Sequence, residues 1–177
     1  MLKNTQKELE RFARNVVSKS KSNLTRKNRN ASRKLHDSIS SFVKVMPNSF
    51  SLSFFMEEYG MFIDQGVKGV KGGVSLDNFS YKSKGGIRGL KGMPPPSAFD
   101  KWNIRRGRSD RDEKGRFLSR KQLNFKTAVG VFYYGIKPSM FFTSPFAAAF
   151  KNLPEDLIEA FGLDVEEFIK FTTDGKN

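Results

Sequence analysis

The sequence predicts an α+β fold, with helices at both ends, one small antiparallel hairpin between them, and a long basic glycine-rich insertion after the hairpin. Three observations predict it: a capped helical stripe that ends on glycine and proline, a run of strict alternation, and an amphipathic N-terminus. The first is Ser119 to Phe146, SRKQLNFKTAVGVFYYGIKPSMFFTSPF. Ser119 can accept from the backbone N–H of Gln122 while Gln122 reaches back, which is a capping box. Phe125, Ala128, Val129, Phe132, Tyr133 and Ile136 then form one broad apolar stripe. Gly135 tolerates a left-handed C-cap and Pro138 lacks an N–H, so the helix stops there. Met140, Phe141 and Phe142 read as an apolar plug, and Ser144-Pro145 as the N-cap and first turn of another helix.

The N-terminal residues 2–18 place Leu2, Leu9, Phe12, Ala13, Val16 and Val17 on one side of a helix. From Lys19 to Ser32 the chain is polar and basic, either a solvated extension of that helix or a loop. Leu35, Ser38, Ile39 and Phe42 restore apolar spacing over a short turn. The lone His36, beside Asp37 and with no second ligand near it, reads as a structural or surface histidine. From Ser40 the period changes to two, with Phe50, Leu52 and Phe54 alternating against serines, and Pro47-Asn48 is the turn of a hairpin. Glu57 to Gly66 reads as a short helical turn ending on glycine. Its acids Glu57, Glu58 and Asp64 read as helix-end and surface charges rather than a metal site.

Residues 66–92 hold 8 of the 15 glycines, mixed with Lys68, Lys71, Lys82, Lys84, Arg88 and Lys91. No phosphate-loop pattern GxxxxGK[ST] is among them, so 66–93 reads as a mobile basic loop that orders on a partner. Residues 94–121 read as an inserted helix and a charged loop, with Ser97 as the cap of a helix running to Gly107. Phe99 and Trp102 share one face, and Lys101 and Arg105 another, with Arg106 nearby. Arg108, Arg111, Lys114 and Arg116 follow in the charged loop. Trp102 is open to two readings: a core residue, or the aromatic part of a nucleic-acid surface built with these cations. At the C-terminus Leu157, Ile158 and Phe161 point inward, Pro154 opens or kinks a helix, Gly162 marks a break, and Asp164 to Glu167 offers a second capping box. TTDGKN reads as a frayed end.

At 177 residues the chain is long enough for one domain, 1–177, with a core that needs no cross-links. Hydrophobic residues make up only 37%, so the 18 Phe carry much of the apolar burden. The absence of cysteine excludes disulfides and thiolate chemistry. The longest apolar run, Ala128 to Ile136, is nine residues, far short of the roughly 20 of a membrane span. The N-terminus has no signal-peptide core, so the expectation is a soluble protein used without export. The net charge of +14 is uneven: residues 1–40 carry 11 Lys/Arg against 3 acids, and 66–125 carry 15 against 5. Patches of one sign point to an anionic partner, nucleic acid or an acidic protein surface. Scattered acids and one His offer no converging metal site, so nothing in the residues points to an enzyme or a cofactor.

The order of features resembles the tail-completion and head–tail connector (neck) proteins of tailed bacteriophages. SRKLHDSI, Ser32 to Ile39, is similar to that family's small-residue–Leu–x–x–Ser–Ile turn. YGMFIDQGVKG resembles its Tyr-x-x-Phe/Val-x-x-Gly element, and GIKPSMFFTSPF its Pro-Phe plug before the last helix. The likeness covers residues 1–66 and about 136–171, with 66–135 as an insertion whose PPP…W…RRG stretch is like related phage neck proteins. It implies an antiparallel sheet packed against the N-terminal and C-terminal helices. It also implies a non-enzymatic virion role as one subunit of a homo-oligomeric ring around the DNA channel, assembled in the host cytoplasm. Ring neighbours, portal or adaptor and tail proteins, and the phosphates of packaged double-stranded DNA would be the partners, with no membrane. The alternative is a free-standing DNA-binding protein without sequence preference.

Overall fold

The computed structural model describes residues 2–29, 31–46, 49–85 and 89–174. Length suggested one domain; the contacts gather into two compact units. The first comprises Met1–Arg26, His36–Glu57 and Phe141–Asn177, the second Lys27–Leu35 and Glu58–Met140. Among the described residues there are seven α-helices and one two-stranded antiparallel sheet, an α+β fold. No helix among them is long and apolar enough to cross a membrane.

The first unit is built on α1 (Lys3–Arg26). The polar stretch from Lys19 is helix as far as Arg26, because Ser20 and Leu24 continue the four-residue spacing of Phe12 and Val16 and are fully buried. The chain re-enters this unit within α2 (Lys34–Ser38), then forms β1 (Ser40–Met46) and β2 (Ser49–Phe55). The strands pair antiparallel from Ser40 opposite Phe55 to Met46 opposite Ser49. The expected turn residues Pro47 and Asn48 lie outside the described residues. Leu52 and Phe54 point from one face of this sheet onto Phe12, Val16 and Leu153. Phe54 meets Phe12, Phe142 and Phe146 edge-on, with centroids 6.4, 5.3 and 5.9 Å away. Each such pair adds about 0.5–1.5 kcal/mol to the burial of its rings. The small sheet is thus packed against the N-terminal helix and the C-terminal pair, α6 (Thr143–Phe150) and α7 (Leu153–Asp174).

Four local readings are corrected in and next to this unit. Ser144 does not cap α6; it is the second helical residue, and Pro145 the third, where a missing N–H costs nothing. Of the expected plug, Phe141 is buried but Met140, the last residue of the other unit, is 39% exposed. The helix also does not break at Gly162. α7 runs through it, and Asp164, rather than capping its own helix, accepts from Asn4 N at 2.8 Å and Thr5 N at 2.9 Å in the first turn of α1. Gly175 to Asn177 lie outside the described residues.

The second unit contains α3 (Tyr59–Gln65), a 3-10 turn (Pro96–Phe99), α4 (Asp100–Arg105) and α5 (Arg120–Tyr134). α5 begins at the capping box read from the sequence, Ser119 with Gln122, and ends at Gly135 with φ 76°. Its buried face differs from the expected stripe: Phe125 is 45% exposed, whereas Asn124 and Thr127 are buried. These polar groups are satisfied by α4, Asn103 Nδ2 donating to Asn124 Oδ1 at 2.8 Å and Thr127 Oγ1 to Asn103 Oδ1 at 3.3 Å. Arg120 closes the same seam with two bonds to Asp100, 2.6 and 2.8 Å long. Ser97 makes no cap; the chain enters α4 through the 3-10 turn.

Over residues 66–81 the structure departs from the free loop that the glycines suggested. Val67 and Ile136 exchange both backbone bonds at 2.8 Å, and the N–H groups of Val70 and Lys71 bond Phe132 O and Tyr133 O at 3.0 Å. Those carbonyls end α5 and have no partner within the helix, so the loop supplies one. Glycine is required there by close approach. A Cβ on Gly69 would lie 2.1 Å from Tyr133 O.

Candidate anion-binding surface and its aromatic pocket

The two units divide the charge completely. The first holds 11 Lys/Arg and 11 Asp/Glu; the second holds 21 against 7 and therefore carries the whole +14. The cations of α1 that looked like part of a basic patch are balanced within their own unit. Arg11, for example, pairs with Glu8 at 2.7 Å.

A cavity of about 760 Å³ opens in the second unit. Tyr59 and Phe62 of α3, Phe79 and Tyr81 of the glycine-rich segment, Phe99 of the 3-10 turn and Trp102 of α4 give it aromatic walls. Arg29, Arg33, Arg106 and Lys137 also line it, and none of the described lining residues is acidic. Phe62 and Phe79 meet edge-on at 4.9 Å, fixing one wall. Burial pushes the Tyr81 phenol above its ordinary range, so it is neutral at physiological pH. The Arg106 guanidinium lies 5.8 Å from the Trp102 ring centre, and its buried Nε has no hydrogen-bond partner among the described residues. Arg108 stacks on the same ring at 5.1 Å. Trp102 is half-buried rather than part of the core; it lines the pocket and carries two cations.

The predicted cations are placed as follows. Lys68 is half-buried, with its backbone bonded to Phe79 and Tyr81. Lys71 is exposed, its Nζ 4.5 Å above the Tyr133 ring. Lys82, Lys84, Lys91, Lys101, Arg105 and Lys114 are exposed, and Arg88 lies outside the described residues. Arg111 stacks on Phe117 at 3.9 Å and donates to Gly115 O. Arg116 is held by Asp112 at 3.0 Å, in a small turn closed by the Arg111–Phe117 bridge. The structure thus joins Trp102 with Arg106 and Arg108, and Arg111 with Arg116. It adds Arg29, Arg33 and Lys137, which no spacing in the sequence connects to the tryptophan.

The acids behave differently from expectation at one position. Asp64 is 2% exposed rather than a surface charge, and accepts from Gln65 Nε2 at 3.0 Å. Among the described residues no three metal-ligating side chains converge. His36 Nδ1 lies 2.7 Å from Asp37 Oδ1, a local contact.

One further surface stands out, on the first unit. α7 packs on α1 through Leu153, Leu157 and Asp164, but Ile158 and Phe161, expected inward, are exposed together with Val165, Phe168 and Ile169, by 38–73%, because their arc lies beside the one that α1 covers. In comparisons with known proteins, the chain matches no family model, no curated protein and no solved structure.

Proposed function

We propose that this chain is a non-enzymatic assembly protein of a phage virion, a ring-forming head–tail connector or tail-completion subunit that joins portal to tail. Its second unit faces the DNA channel and holds phosphates without reading sequence. The observation that carries the DNA contact is the confinement of the entire +14 to that unit, with Lys82, Lys84, Lys91, Lys101 and Arg105 free to reach a backbone. The virion role rests on the sequence resemblance. The lining of the pocket supplies charge and apolar contact, the chemistry of holding a partner rather than of turnover.

A contact through phosphates predicts a specific salt response. Binding to short duplex DNA should weaken linearly with the logarithm of salt, and Lys82→Gln, Lys84→Gln and Lys91→Gln together should reduce that slope by about 2–3. Fluorescence anisotropy of labelled duplexes measures it. An unchanged slope would move the DNA contact away from these lysines. Binding that fails even at low salt would leave an acidic protein as the partner. Imaging of the intact particle would test the virion location directly.

A second reading, a free-standing DNA-binding protein, is favoured by the cations stacked on exposed rings, Arg111 on Phe117 above all. It expects submicromolar affinity for duplex DNA from the isolated protein at low salt, and no localisation to a particle.

A further inference from the structure

We infer that the C-terminal helix of one copy docks its exposed apolar stripe into the basic aromatic pocket of the next copy, a head-to-tail contact between identical chains. The contact deepens the ring reading, and rests on that reading only for its closure into a ring.

The argument starts from α7. Positions 158, 161, 165, 168 and 169 advance by three, four, three and one residues, which keeps them on one side of a helix beside the arc already covered by α1. An apolar arc this much wider than its partner leaves a contiguous apolar surface, with Phe161 and Phe168 its two aromatic members. Such a surface marks an interface. The helix also carries seven Asp/Glu against one Lys, with Glu155, Glu159 and Glu166 on its polar side. A partner that covers the stripe and meets this acidic side is therefore both apolar and cationic.

The described pocket of the second unit has that composition, with aromatic walls, four cations and no acid in its lining. Its volume lies within the roughly 300–1,000 Å³ range of pockets that enclose ligand-sized groups, so it has room for phenylalanine side chains. The Nε of Arg106, without a partner among the described residues, offers a buried donor to an incoming carboxylate. Pairing two copies of α7 with each other would instead set acidic rims against acidic rims, which is repulsive. A contact between unlike surfaces repeats from copy to copy, and closes into a ring when its rotation allows.

The test uses the full-length chain and two variants. Phe168→Asp breaks the helix surface at a residue that is 63% exposed, where folding does not depend on it. Arg106→Glu breaks the pocket; exposed Lys137→Glu replaces it if circular dichroism shows that Arg106→Glu fails to fold. Sedimentation velocity over a concentration series should show the unmodified chain growing beyond a dimer and each variant alone held as a monomer. A one-to-one mixture of the two variants should form dimers and stop there, since each supplies the surface that the other lacks. Trp102, the only tryptophan, should shift its emission in that mixture. Three results overturn the inference: an unmodified chain that stays monomeric at every concentration, a pocket variant that assembles normally, or a mixture that restores nothing. Phe168→Asp should still bind duplex DNA as the monomer does. If it assembles as predicted in mixtures while no form binds DNA, the DNA reading fails and this contact stands.

Discussion

Gly135→Ala is expected to destabilise the second unit by about 3–5 kcal/mol, the combined cost of backbone strain and a forced break in packing. Gly135 has φ 76°, a conformation that an alanine adopts only with strain. An added Cβ would also lie 1.9 Å from Val67 O and 2.6 Å from Gly69 N, and both are backbone atoms that no rotamer change can move. Relief requires the glycine-rich strand to leave the end of α5, which breaks the paired Val67–Ile136 bonds and exposes the last carbonyls of the helix. Gly130→Ala is the control. It lies on the same helix with nothing within 4 Å of its missing Cβ, and alanine there should stabilise by about 0.5–1 kcal/mol. Urea unfolding followed by Trp102 emission places the probe in the second unit, which holds the only tryptophan. Equal midpoints for the two variants would mean that residues 67–73 are not held on α5 in solution.

The same contrast shows what the sequence can and cannot reveal. The capping box at Ser119 and the alternation of β2 were legible because each is decided within a few residues. Gly135 was legible as a helix stop for the same reason. The role of Gly69 was not, since its requirement comes from Tyr133, a carbonyl distant in sequence. Counting apolar side chains put Phe125 inside and missed Asn124 and Thr127, because a buried amide is tolerable only when a partner such as Asn103 exists, and the partner lies on another helix. Windows along the chain found basic patches at 1–40 and 66–125, but their boundaries follow contacts rather than position. Residues up to Arg26 are neutralised in one unit, while Arg29 and Arg33 join the other. The pocket draws on five separate stretches, which is why only Phe99 and Trp102 among its aromatics were read together and why Arg29, Arg33 and Lys137 were not connected to them.

Asp164 is the clearest case of a local motif serving a distant end, and its removal should cost about 3 kcal/mol in the first unit, as loss of a cap and of hydrogen bonds to a charged acceptor. The first turn of α1 has no acidic residue of its own to meet its free N–H groups. Asp164, 5% exposed on α7, supplies the missing acceptor, bonding Asn4 N, Thr5 N and Thr5 Oγ1 at 2.8, 2.9 and 2.8 Å. Burial by itself would raise the pKa of this carboxyl, but the bonds from the Thr5 and Asn4 backbones outweigh it and hold the value below the ordinary one. The sign then follows. With the folded value depressed, the unfolded chain binds the proton more readily, so the stabilisation is complete above an unfolded value of about 3.9 and disappears as pH falls through the folded one. Asp164→Asn keeps an acceptor without the charge and should lose about half as much stability at neutral pH, with its gap to the unmodified chain narrowing in acid. Hydrogen exchange at the Asn4 and Thr5 amides, measured across that range, reads the cap directly. Protection that is the same in both proteins and independent of pH would show that α1 is capped by something other than this carboxylate.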